Sequence, residues 1–342
     1  MSLSPRKRAW LRFKSHKRGY YSLIIFSILF VCSLMVELWS NDKPLVISYE
    51  QQYYFPILKN YNETTFGGDF DTPADFLDPY IKSKITSNGN WAIYPLNPYS
   101  YNTINEFDLL PNPANPNSAH LLGTDDRGRD VFARLVYGFR VSVLFGLVLT
   151  VVSTFVGILL GAMQGFFGGK LDLILQRITE VWSGLPELYL LIIFSSIFNP
   201  SLGLLLLLLV LFGWMGLADY VRAEFLKNRK MDYVLAARSM GLNAKQIMWR
   251  HLLPNSLTPV ISFLPFRISG AVLALTSLDF LGLGVPASTP SLGELLSQGK
   301  DNLDAWWIAL STFCVLTIML LLLSLMGEGL RAALDNKGKI HE

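Results

Sequence analysis

Five ionisable side chains, Arg177, Glu180, Glu187, Arg267 and Asp279, fall inside long apolar stretches of the chain. A charge at membrane depth is costly enough that such groups either pair with one another or line a polar passage. Counting about 1.5 Å of helical rise per residue puts Arg267 at a depth between Glu180 and Glu187. That depth allows an ion pair locking two helices, or a passage wall for zwitterionic cargo, and both stay open. No nucleophilic triad and no carboxylate pair at a soluble pocket is present, so no covalent chemistry is indicated and the chain does not read as an enzyme. His16, His120, His251 and His341 are scattered, and Cys32 and Cys314 sit alone in apolar runs. No metal-ligand spacing results, and the cysteines read as packing residues. Gly168-Gly169-Lys170 invites comparison with a phosphate loop. Gln164 stands where the first glycine belongs, however, and Leu171 where Ser or Thr should hold magnesium. No cofactor is expected on this chain, and any ATP and Mg²⁺ are used by a partner.

The elements that must position these charges are membrane spans. Of 342 residues, 51% are hydrophobic and 16% charged, too apolar a balance for an ordinary soluble protein. Several windows of about 20 apolar residues can each cross a hydrocarbon core of about 30 Å, and helices satisfy their own backbone there. An all-α polytopic membrane protein with about six transmembrane helices follows. Residues 1–19 carry seven Lys and Arg and no acid, which places the N-terminus in the cytoplasm by the positive-inside rule. Trp10, Leu11 and Phe13 among those bases predict a short amphipathic helix on membrane lipid, not a nucleic-acid-binding tail.

The first span is expected over 20–39. Residues 40–133 turn to Tyr, Asn, Pro and Asp, with acids including Asp69, Asp71, Asp75, Asp78, Glu106 and Asp108. They form a large insert on the far side, irregular along the Pro-Asn run from Leu110 to Asn117. Five further spans are expected within 134–335, at about 136–166, 173–198 with a kink at Pro186, 202–220, 257–281 and 306–326. Ser291 and Glu294 have the spacing of a capping box for a short helix reaching Gly299. A tail at 336–342 returns to the cytoplasm.

Between two spans, residues 222–254 form a basic hairpin. Asp232 is a candidate N-cap, Tyr233 to Met240 is helix-compatible, and Gly241 stands where a left-handed residue ends a helix. Asn243 with Gln246 three residues on can cap a second helix, which Pro254 is expected to stop. Ala236 and Ala237 permit close approach of another backbone. Met240, Ile247, Met248, Trp249 and Leu252 supply more apolar surface than two short helices can bury alone. Lipid headgroups attracted by Arg222, Lys227, Arg229, Lys230, Lys245 and Arg250 could cover it, or a protein could.

Ala236-Ala237, three residues, Gly241, then His251-x-Leu253-Pro254-Asn255 resembles the EAA loop of ABC importer permeases, with Leu235 where Glu or Gln is usual. His120-Leu-Leu-Gly-Thr-Asp-Asp-Arg-Gly-Arg-Asp130 resembles the HPLGTDxxGRD segment of the second permease in peptide importers, with Leu121 replacing the usual Pro. The stretch from Gly327 to Asp335 also resembles that family, with Ala332 where an acid is common. The chain is thereby identified as similar to the peptide, dipeptide and nickel type of ABC importer permease, from His120 to Asp335 and over the first span. Its large insert most resembles Yej-type peptide and microcin C importers.

The resemblance implies a type I importer permease fold in the bacterial inner membrane, pairing with a homologous second permease subunit. It implies an ABC ATPase, as a subunit or a tandem chain, docked on a coupling loop that contains Asp232, Leu235, Ala236, Ala237, Gly241, His251, Leu253 and Pro254. A periplasmic peptide-binding protein would deliver cargo, and the short helix after Ser291 would dip towards the pore mouth. Glu180, Glu187, Arg267 and Asp279 become candidates for the translocation pathway. Nickel chelates lie within the family's range, but no His or Met cluster favours them.

Overall fold

A computed structural model describes residues 4–104 and 111–334. Glu106, Asp108, Leu110, Asp335 and the 336–342 tail lie outside the described residues. The chain opens with α1 (Pro5–Ser15) and α2 (Lys17–Leu34), separated at His16, whose Nδ1 accepts the Gly19 N–H at 3.2 Å. In α1 Phe13 is buried while Trp10 and Leu11 are about half exposed, the two-sided character the sequence predicts. The helix rests against the end of the last span. α2 stops at Leu34, short of the expected Trp39, and a 3-10 turn at Val36–Leu38 leads into the insert.

The chain is mostly helical, as expected, and its insert adds a small sheet. The insert carries β1 (Val46–Tyr49), β2 (Gln52–Tyr54), α3 (Pro79–Thr86) and β3 (Trp91–Ile93). The strands form an antiparallel sheet of order β2-β1-β3, with Ser48 opposite both Tyr53 and Trp91. Ile47, Phe66, Phe76, Ile81 and Ile85 form its small core. Strands of three or four residues are too short to show a period-two pattern, so only packing against α3 reveals them.

The membrane part comprises α4 (Val131–Phe167), α5 (Gly169–Ser183), α6 (Glu187–Ile197), α7 (Leu202–Gly213), α8 (Met215–Asn228), α9 (Asp232–Ser239), α10 (Ala244–Ile247), α11 (Leu253–Phe280), α12 (Leu292–Asp301) and α13 (Trp306–Leu334). Among the described residues five helical runs are long and apolar enough to cross a membrane, or six if the bent pair α5 and α6 counts as one span. α4 begins five residues before the expected Val136 because the Asp130 carboxylate caps it, accepting the Ala133 N–H at 2.7 Å. The kink expected at Pro186 is a full break of 66°. Gly184 ends α5, and Pro186, which has no N–H to donate, starts α6 afresh. Cys32 and Cys314, expected to pack inside, are exposed on the isolated chain.

α4 and α8 pack along Gly157, Gly161 and Gly165, one per helical turn. A methyl at Gly157 would stand 2.9 Å from the Trp214 carbonyl oxygen and one at Gly165 2.5 Å from the Phe225 Cβ, while one at Gly161 would overlap the Ala218 carbonyl. Without a hydrophobic force between helices in lipid, this close backbone approach is what binds them. Gly161→Val is expected to lower stability by about 1–3 kcal/mol through overpacking. Denaturant unfolding of the detergent-solubilised protein reads the shift.

Candidate functional site

The hairpin lies at the end of the bundle where α4 and α8 finish and α11 begins. Met231, not Asp232, is its N-cap residue, without a side-chain bond, and Asp232 is the first helical residue. Its carboxylate there still favours the positive end of the helix dipole. At the other end of α9, Gly241 has φ +79°, its N–H bonds the Arg238 carbonyl at 2.9 Å, and the Leu242 N–H bonds the Ala237 carbonyl at 3.2 Å. These two bonds are a Schellman motif, which needs the left-handed residue. The Asn243 and Gln246 box is closed in both directions, at 3.1 and 2.8 Å.

Pro254 does not stop the second helix. A π-helical turn at Met248–Leu252 follows α10, and Pro254 stands in the first turn of α11. The wider turn accommodates a residue that offers no N–H and whose ring would crowd the Arg250 carbonyl. Ala244 to Phe280 is consequently one 37-residue helical run. His251, half-buried, uses its carbonyl to accept from the Asn255 amide at 3.0 Å.

The hairpin has two faces. Val234, Ala237, Ile247 and Leu252 are buried against Phe166, Val221, Phe225 and Val260. Ala236 and Leu235 face outward with Met240 and Trp249, the last two 73% and 55% exposed. The alanine pair is therefore split: Ala237 holds the hairpin to the spans, and Ala236 sits on an open apolar face. Leu253 is half-buried and Pro254 exposed. Two of the bases expected on lipid are used internally. Arg222 forms a two-pronged pair with Asp172 of α5 at 2.5 and 2.7 Å, and Arg229 donates to the Gly165 carbonyl at 3.3 Å.

The intramembrane charges do not form the cross-helix pair that their depths allow. Arg177 pairs with Glu180 one turn away on α5, both well exposed. Arg267 donates to the Gly213 carbonyl at 2.8 Å, where α7 ends. Among the described residues no ion pair joins Arg267 to Glu180 or Glu187. Arg267 and Glu187 instead line one cavity with Thr150 and Ser153 of α4. Asp279 lies apart from it. Its carboxylate accepts from the Ser291 hydroxyl and from the Val285 N–H at 2.9 Å, tying the end of α11 to the start of α12.

The insert end carries a cluster that sequence reading missed. Asp125, Arg129 and Arg134 are essentially inaccessible to solvent. Asp125 accepts from Arg129 Nη2 at 2.6 Å and lies 3.5 Å from Arg134 Nε, while Glu294 of α12 pairs with both arginines. Arg129 also donates to the Ala287 carbonyl at 2.8 Å, and Arg134 to the Tyr101 carbonyl at 3.2 Å. The Ser291 and Glu294 capping box is therefore only half made: Ser291 caps α12, and the Glu294 carboxylate is drawn to the arginines. Beside it, burial first and the Asp125 charge second push the Asp126 carboxyl above its usual range. His120 and Asn97 both bind Asp130, at 2.9 and 3.1 Å. The signature segment from His120 to Asp130 fastens insert, α4 and α12 together.

A bundle of apolar helices, with one span sharply broken beside a charged cavity and an open hairpin at one end, is the architecture of a transport permease. The family described as binding-protein-dependent transport system inner membrane component matches residues 157–339, and the chain belongs to it. It is 48% identical over 334 residues to the inner membrane ABC transporter permease protein YejE of Escherichia coli (strain K12), covering 97% of this chain and 98% of that one. It is 44% identical to the peptidoglycan transport system permease protein YejE of Agrobacterium fabrum, over 96% of this chain and 92% of the relative. The dipeptide transport system permease protein DppC of Haemophilus influenzae is 37% identical over 225 residues, 65% of this chain and 76% of that protein. The chain is thus a membrane permease component of a binding-protein-dependent transporter, and membership implies substrate-binding and ATPase partners.

Proposed function

We propose that this chain is one half of a peptide-importing pore, completed by a homologous permease and driven by a partner ATPase seated on the exposed face of the hairpin. The observation that carries this reading is the split of the hairpin into a face buried on α4, α8 and α11 and an open face of Leu235, Ala236, Met240 and Trp249. Asp232, Gly241, His251, Leu253 and Pro254 shape that surface. The peptide and dipeptide names of the relatives support the cargo class, which includes peptide antibiotics of the microcin C type. The peptidoglycan transport name of the Agrobacterium relative favours a second reading, in which the cargo is a peptide still joined to cell-wall sugar.

The mechanism is alternating access. A periplasmic binding protein delivers cargo at the insert end, and the ATPase closes on ATP and Mg²⁺ and moves the hairpin. The helical run from Ala244 to Phe280 then acts as a lever, since it joins the docking face at Trp249 to the cavity at Arg267 and, through Asp279 and Ser291, to α12. The orientation follows from charge: α1, the end of α13 and the hairpin share one end of the bundle, and their bases favour the cytoplasm. ATP-dependent uptake of labelled short peptides into proteoliposomes holding both permeases and the ATPase, with binding protein outside, is the test. Uptake that requires ATP and this chain is expected; uptake unaffected by its omission refutes the assignment.

A further inference from the structure

We infer that the mid-membrane cavity is a subsite for the charged ends of a short peptide, its carboxylate on Arg267 and its ammonium on Glu187; this rests on the peptide reading above. The cavity, of about 320 Å³, lies where α4 and α11 pass the breaks between α5 and α6 and between α7 and α8. Arg267 is 14 residues into α11, about 21 Å along it, close to mid-depth.

Three polar groups there have no partner among the described residues. The Arg267 Nε is buried without a hydrogen bond, and so are the hydroxyls of Thr150 and Ser153, residues only 4% and 1% exposed. Some hydroxyls in the bundle satisfy themselves on a carbonyl one turn back, as Thr179 does on Leu175 at 2.9 Å and Ser269 on Pro265 at 3.1 Å, while Thr154 of α4 and Thr276 of α11 stay open away from the cavity. Thr150 and Ser153 stay open and both line the cavity, with Ser153 Oγ 2.9 Å from where a methyl on Gly213 would stand. Buried donors left open in this way call for a ligand or ordered water.

The charges set the kind of ligand. Arg267 and Glu187 line the same cavity without pairing, which leaves both signs open to a ligand. A guanidinium suits a carboxylate. The remaining wall is apolar, including Leu149, Leu209, Phe212 and Ala271, and offers nothing to read a polar side chain. The volume is at the small end for ligand sites. Termini are recognised and side chains are not, which suits mixed-sequence cargo.

The test uses the complete transporter in proteoliposomes, with binding protein saturated by labelled trialanine, its C-terminal amide or its N-acetyl form. Arg267→Gln is expected to lower the ratio of free-acid to amide uptake about tenfold, the weight of a charge-assisted hydrogen bond. Arg267→Lys retains most of that preference. Glu187→Gln erodes the preference for the free amine over the N-acetyl form in the same way. If Arg267→Gln slows all three peptides equally, or if Arg267→Gln and Arg267→Lys both block assembly, Arg267 is only a strut on the Gly213 carbonyl and the subsite is overturned. If the unsubstituted transporter hydrolyses ATP but moves none of the three, the peptide reading fails and the subsite falls with it.

Discussion

Ala236→Arg is expected to abolish transport, by at least about a hundredfold, while leaving the chain folded. Ala236 is exposed, so an arginine there disturbs no internal packing, whereas Ala237 is 1% exposed and packed against the spans. At the centre of an interface, a long charged side chain costs as much as losing a principal contact, about 2 kcal/mol or more, and adds an unpaired buried charge. Co-purification of the ATPase with the permease pair, alongside peptide uptake, separates the possibilities. Loss of both with normal thermal stability is the docking result. Normal uptake would leave the hairpin as a lipid-surface anchor. Ala237→Arg makes the instructive contrast, since it should destabilise the chain itself. Gly241→Pro belongs with it: φ +79° is closed to proline, and the N–H bonded to Arg238 is lost.

Asp125→Asn is expected to cost about 3–5 kcal/mol, because it leaves Arg129 and Arg134 buried side by side with Glu294 as their only carboxylate among the described residues. The Asp125 carboxylate also accepts the backbone N–H groups of Arg127 and Arg129, at 3.0 and 2.9 Å. Unfolding of the detergent-solubilised protein measures the loss. Asp126→Asn, one residue along and outside the fully buried cluster, should stay within about 0.5 kcal/mol of the parent. Equal effects at the two positions would mean that the cluster confers no special stability. Since Glu294 sits on α12, the same substitution should also loosen that helix from α4 and slow transport beyond what reduced folding explains.

Of the two ends of the molecule, the hairpin was the more legible. Helix caps are local: Gly241, Asn243 and Gln246 announce their turns within a few residues, and the structure forms each bond they predict. Pro254 misled for an equally local reason, because a proline signals a stop unless a π turn makes room for it. The small sheet was invisible, its strands being too short to carry a period.

Apolar runs of sufficient length and the basic flanks determined by themselves that the chain crosses a membrane many times, while the motif around Ala236, Gly241 and Leu253 carried the resemblance to importer permeases. Those features depend on local chain propensity and on the thickness of a bilayer, which any stretch of sequence displays directly. Which alanine faces outward, why Arg267 shares a cavity with Glu187 without pairing to it, and how Arg134 meets a carboxylate 160 residues away were decided only by the tertiary structure. Partners so far apart meet through the packing of whole helices, and no local pattern records which helices will touch.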